Sequence, residues 1–166
     1  MGEIHVNRVC SDRRTCVEMV DSLKKADTIL RVGYDELLNS AHFIVLDRVE
    51  YEAVILSGEM FPDDRRLTSF VNHEAVCRGL EGAPLQASCL INELLQDSDL
   101  VAMGFTEILC LQFNPHNKTS RVLSFGRTKT GERFLGTSVA RPNTVWQKDH
   151  GFLFIRPVRV VSGEVD

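Results

Sequence analysis

The chain is short of almost every residue pattern that would assign it a chemistry at sight. Its longest apolar runs, such as Phe43 to Leu46 and Ala53 to Leu56, fall far below the roughly 20 residues of a bilayer span, so no transmembrane helix is expected. The opening Met-Gly-Glu-Ile-His-Val has no basic segment followed by an apolar one. Export is therefore not expected, and a cytoplasmic location is the default. Val6 stands where a myristoylation motif needs Ser or Thr. The five cysteines, Cys10, Cys16, Cys77, Cys89 and Cys110, are odd in number and contain no Cys-x-x-Cys pair. That excludes a simple disulfide framework or zinc ribbon, and in a reducing compartment such residues act as small buried hydrophobes. Also missing are the glycine-rich dinucleotide and phosphate loops, the Gly-x-Ser-x-Gly elbow and an RNP-type aromatic motif.

What is present is ordinary globular material. Apolar residues make up 43% and charged residues 25% of 166, enough chain to bury a core without a metal or disulfide. No repeat, low-complexity stretch or linker divides it, so residues 1–166 are expected to form a single α+β domain. The net charge of -4 hides an asymmetry. Residues 1 to 110 carry 19 acidic and 10 basic side chains, and residues 111 to 166 carry 4 and 9, so the two parts stand at -9 and +5. The C-terminal third is a basic segment on an acidic protein.

Periodicity supplies the elements. Cys16, Met19, Val20, Leu23, Ala26 and Leu30 recur at helical spacing, predicting an amphipathic helix over 12–31 with Ser11 as its cap. Residues 42–57 are β-branched and aromatic with charges at the middle, which reads as a β-hairpin reversing near Arg48 to Glu50, or else one long bent strand. A less regular helix follows over about 67–80. Pro84 fits the first turn of another helix, bearing Ala87, Leu90, Ile91, Leu94 and Leu95 and ending near Asp97. From Thr106 the period becomes two. Four runs, the last being Phe152 to Val161, predict an antiparallel meander, with turns at Pro115 to Lys118 and at Thr128 to Glu132, where Gly131 can take positive φ. The expected fold is α+β: N-terminal helix, hairpin, one or two helices and a four-strand antiparallel meander, the helices packed on one face of a curved sheet.

Candidate chemistry is thin. His73 and Cys77 sit one helical turn apart, a metal-ligand spacing, but no third ligand is evident, so no metal or cofactor is assigned and Cys77 reads as a core cysteine. A Cys–His hydrolase would need a pairing that five cysteines and five histidines leave undetermined. The candidate ligand or polyanion site draws on the basic sheet: Arg121, Arg127 and Arg133, with Trp146 for stacking and His116 and His150 in bordering turns. The competing reading pairs these arginines with acidic helices through residues such as Asp63, Asp64, Asp97 and Asp99. The leading functional expectation is a small-molecule binding or sensor domain with a largely apolar pocket between curved sheet and helices. The alternatives are an interaction module using the basic sheet, with nucleic acid disfavoured by the acidic total, and an enzyme of unidentified reaction in the same cavity. Phe152, Leu153, Phe154 and Ile155 send apolar side chains to both faces of their strand. If helices cover one face, a second copy of the chain could cover the other, and a homodimer through the C-terminal sheet is expected.

Overall fold

A computed structural model describes residues 2–34, 38, 43–111 and 121–160. The chain begins with strand β1 (Glu3–Asp12), then helix α1 (Cys16–Lys25), a short β2 (Ile29–Leu30) and the long β3 (Asp47–Ser57). A 3₁₀ turn (Gly58–Met60) leads through a loop to α2 (Thr68–Cys77), the short β4 (Glu81–Gly82), α3 (Leu85–Leu94) and α4 (Asp97–Met103). The last third is β5 (Glu107–Cys110), β6 (Arg121–Arg127), β7 (Arg133–Val139) and β8 (His150–Val160). No described helix is long and apolar enough to cross a membrane.

These strands form one open, largely antiparallel sheet in the order β1-β3-β8-β5-β6-β7-β2, with β4 also paired to β8. Two pairings are parallel, β5 with β8 and β2 with β7. The α+β content is as expected, but the four-strand meander is not. Strands β5, β6 and β7 do run as a meander. The fourth, β8, does not return beside β7; it inserts between β3 and β5. Its composition explains the place, because a strand apolar on both faces is stable only where both faces are covered. Pro157 cannot donate to a ladder, and it lies where the register with β3 slips, Glu50 facing Arg159 and Tyr51 facing Pro157.

The sheet is covered on both sides, not one. Met19 and Leu23 of α1, Leu85 to Ile91 of α3 and Leu100 of α4 pack with Ala53, Ile55, Leu123, Phe125, Leu153 and Ile155 on the first face. On the second, Phe61, Val71, Ala75, Leu80 and Trp146 pack on Val54, Leu56, Leu109, Phe152 and Phe154. Phe154 is 0% and Ile155 2% exposed. The homodimer expected through these residues therefore loses its motive: the chain's own α2 and Trp146 cover the face reserved for a partner.

Local sequence accounts for the remaining differences. Helix α1 is shorter than 12–31 at both ends: Thr15, not Ser11, caps it, its hydroxyl accepting from Glu18 N–H while Glu18 reaches back in a capping box, and beyond Lys25 the chain turns through Asp27 at φ 55°, so that Leu30 lies in β2 rather than on the helix. Ser11 instead accepts from Val49 N–H at 2.8 Å inside the sheet. Within the 42–57 segment, Asp47–Ser57 is one long strand, the alternative to the hairpin, with Arg48 at φ 52°, and His42 lies outside the described residues. Gln86, fully buried in α3, accepts from Leu46 N–H and donates to Arg14 C=O, so a polar side chain ties the lead-in to β3 onto the first core. Gly131 does adopt positive φ, 88°, between β6 and β7.

Candidate functional site

The basic side chains singled out in the sequence do not converge. Arg133 docks on helix ends. Its guanidinium donates to the carbonyls of Leu95 (2.7 Å) and Asn92 (2.6 Å) and to the Asn92 side chain (2.7 Å), with Asp97 at 3.4 Å. These are the free carbonyls at the C-terminus of α3, where a cation is favoured. Arg127 turns back on its own hairpin, donating to Gly131 C=O at 2.9 Å, with Asp97 3.9 Å away. Arg121 lies against Thr137 Oγ1 at 3.4 Å. Arg156 pairs with Glu52 and donates to Arg78 C=O. Pairing with acidic and carbonyl groups is thus the main use of this set.

Trp146 is a core residue rather than a stacking platform. Its Nε1–H donates to Thr68 Oγ1 at 2.9 Å and its ring meets Phe152 edge-on with centroids 6.1 Å apart. The surrounding loop also completes the N-terminus of α2, whose cap residue Leu67 has no side-chain acceptor: Thr68 and Ser69 N–H groups donate to the carbonyls of Thr144 and Pro142. His116 lies outside the described residues. His150 opens β8 with its side chain 15% exposed, 4.0 Å from Glu107. Burial holds its imidazole below the usual histidine range, against the pull of Glu107 and Asp149. Ser138 donates to the other oxygen of Glu107 at 3.0 Å. The hydroxyl therefore faces the carboxylate rather than the imidazole, which is not a nucleophile–base pair.

A site missed in the sequence lies on the second face, beside α2. Arg66, buried among loop carbonyls, donates to Gly58 C=O and Phe61 C=O at 2.9 Å each and to Asp63 at 2.9 Å. It thereby fixes the irregular 58–66 loop against the helix. Between them is a cleft of about 390 Å³ lined by Met60, Phe61, Pro62, Arg65, Phe70, His73, Glu74 and Arg78. Phe61 is anchored from below by an edge-on contact with Phe152. Arg78 is engaged with Glu74 and Glu3. Arg65 has no carboxylate partner among the described residues; its guanidinium sits 5.9 Å from the Phe70 ring centroid. The sequence signal was the mixture Met-Phe-Pro-Asp-Asp-Arg-Arg, which reads as a plain polar connection until Arg66 folds it over the helix.

At the rim of this cleft, Cys77 Sγ lies 3.6 Å from Nε2 of the cleft-lining His73. Cys77 is exposed, so it is not the core cysteine expected, and Cys10 is exposed as well. Cys89 and Cys110 are buried as expected, and Cys16 is intermediate. Two further clefts are one of about 360 Å³ between α1 and the α3–α4 junction, lined by Ser22, Asn92, Glu93, Asp97 and Arg133 among others, and one of about 270 Å³ with a mixed lining that includes Glu3, Ile4, Glu59, Met103, Phe105 and Asp149. Compared with known protein families, curated proteins and solved structures, the chain matches none.

Proposed function

We propose that this chain is a small-molecule binding domain, and that its ligand carries an acidic group on an apolar body and sits in the cleft beside α2. The observation that supports this most is Arg65. A guanidinium held over an aromatic face, with no carboxylate of its own in the described residues, borders a cleft of about 390 Å³ floored by Met60, Phe61 and Pro62. Small-molecule sites combine apolar walls with a few placed polar groups in volumes of about 300–1,000 Å³. Carboxylates and phosphates are the partners a guanidinium fork binds best, and an apolar body suits a carboxylate here. The site is at the surface beside α2 instead of between sheet and helices, where side chains fill the space.

The other readings find less support. An interaction module on the basic sheet needs free cations, and Arg127, Arg133 and Arg156 are spent on internal partners. An enzyme needs a nucleophile beside an oriented base: the Ser138, Glu107 and His150 group does not offer one, and in the exposed Cys77–His73 pair, 3.6 Å apart, the imidazole has no third group to orient it among the described residues. A reducing, cytoplasmic setting agrees with the free thiols of Cys10 and Cys77 at the surface.

The test is a thermal-shift panel of aromatic and long-chain carboxylates on the wild type and on Arg65→Glu. A ligand that selects the native state raises the melting temperature, and losing the charge-assisted contact costs about 1.5–3 kcal/mol, a tenfold or greater loss of affinity. Equal shifts in both proteins, or no shift with any acid, would remove this reading.

A further inference from the structure

The cleft beside α2 carries charge of both signs, and recognition of an acid uses only one of them. Arg65 brings a cation to the Phe70 end, its guanidinium 5.9 Å from the ring centroid. Glu74, four residues on from Phe70, lines the same cleft. Residues at i and i+4 are surface neighbours on a helix, about 5–6 Å apart at Cβ. The carboxylate therefore stands one turn along the wall from the ring that lies under the cation.

The cation that Glu74 holds does not cancel it. Arg78 donates to Glu74 Oε1 at 2.8 Å and also to Glu3. Two carboxylates thus draw on one guanidinium, which leaves negative charge in excess, and Glu3 is shared in turn with His5. The Glu74 side chain is 38% exposed, and among the described residues only its Oε1 is engaged. A ligand bearing an anion alone would meet Arg65 and bring like charge close to Glu74, which weakens binding. A ligand of both signs satisfies the two ends together.

We propose that the ligand of this cleft is a zwitterion, an α-amino acid with a large apolar side chain, whose carboxylate meets Arg65, whose ammonium meets Glu74 and whose side chain lies on Met60, Phe61 and Pro62. This deepens the acid-binding reading of the cleft and rests on it. The charges of an amino acid, each extended by a charge-assisted hydrogen bond of about 2.8 Å, bridge two groups one helical turn, about 5.4 Å, apart. Glu74 is then the specificity-determining residue: it favours the ammonium and rejects a second acid group on the ligand.

The experiment measures affinity by titration calorimetry on the full chain, at neutral pH and low ionic strength so that the ion pairs are little screened. The probes are 2-naphthylalanine and 3-(2-naphthyl)propionate, the same skeleton without its ammonium. The wild type is expected to bind the amino acid about three- to tenfold more tightly, a gain between that of an exposed ion pair and that of a charge-assisted hydrogen bond. Glu74→Gln keeps an oxygen to accept from Arg78, so it should keep the wild-type melting temperature while bringing the two probes to equal affinity. Arg65→Glu should weaken both. A propionate that the wild type binds at least as tightly as the amino acid overturns the zwitterion and leaves the acid reading standing, and so does an ammonium advantage that survives Glu74→Gln. Binding of neither probe, or binding of both that is unchanged in Arg65→Glu, overturns the acid reading together with this one.

Discussion

Burial decides what each cysteine can do. Cys110, fully enclosed, has its thiol pushed up to about 12, and Cys89 is raised further by the same loss of solvent. Because the thiolate is the reactive form, an alkylating reagent at neutral pH should modify Cys10 and Cys77 rapidly and leave Cys89 and Cys110 unmodified until the protein unfolds. Mass spectrometry of peptides from native and denatured samples checks this; early labelling of Cys110 would mean that the first core opens readily. His150 makes the complementary case. Its imidazole is held below about 6.5, so below that pH the unfolded chain binds a proton that the folded chain resists. The stabilising contribution is present above the unfolded value and is lost as pH falls through the folded one. Replacing His150 with Gln should flatten the fall in stability on the acid side, seen as a denaturant midpoint that changes less from pH 7 downward; an unchanged slope would show that His150 titrates normally. Neither assignment was legible in the sequence, which cannot tell the enclosed Cys110 from the exposed Cys77. Both lie in mixed apolar and polar stretches, and only tertiary packing separates them.

At the scale of elements, what was legible is what one segment decides by itself. The apolar stripe of α1 and Gly131 at the β6–β7 hairpin are local choices used as the sequence implied, and Pro84 stands one residue earlier than expected, as the N-cap of α3 rather than in its first turn. What depended on distant partners was not legible. β1 escaped notice because its register with β3 shifts between His5 and Arg8. The shift moves the inward positions from Ile4 and Val6 to Val9 and destroys the period of two. Position 97, read as a helix end, is both the end of α3's neighbourhood and the start of α4, because acidic residues suit a helix N-terminus. β8 was assigned to the meander because neighbouring strands usually pair, although its four consecutive apolar residues favour a central place. That place has a consequence opposite to the dimer expectation. Phe154 stands beside its register partner Val54 in the second core, at 0% exposure. Phe154→Ala should cost about 3–5 kcal/mol, and Phe154→Asp should prevent folding rather than release a soluble single chain. Circular dichroism of the aspartate variant distinguishes the two: a folded spectrum would mean that this residue faces a partner.

Over the whole molecule, charge and packing share out the two faces of the sheet. The first face is closed by α1, α3 and α4, with Arg133 and Asp97 fastening the helix ends to β7. The second is closed by α2, Trp146 and the loop that Arg66 pins, and the cleft lies where that loop and helix meet. Part of the -9 and +5 asymmetry visible in the sequence is thus spent on holding the molecule together, while Arg65, from the acidic half, borders the cleft with no carboxylate partner among the described residues. The most direct measurement is to locate an acidic apolar probe on the full chain by following backbone amide resonances during titration with 1-naphthoate. The account predicts a saturable response confined to residues 60–78, abolished in Arg65→Glu. A response centred on β6, β7 or Trp146, or one that persists unchanged in that variant, would contradict it.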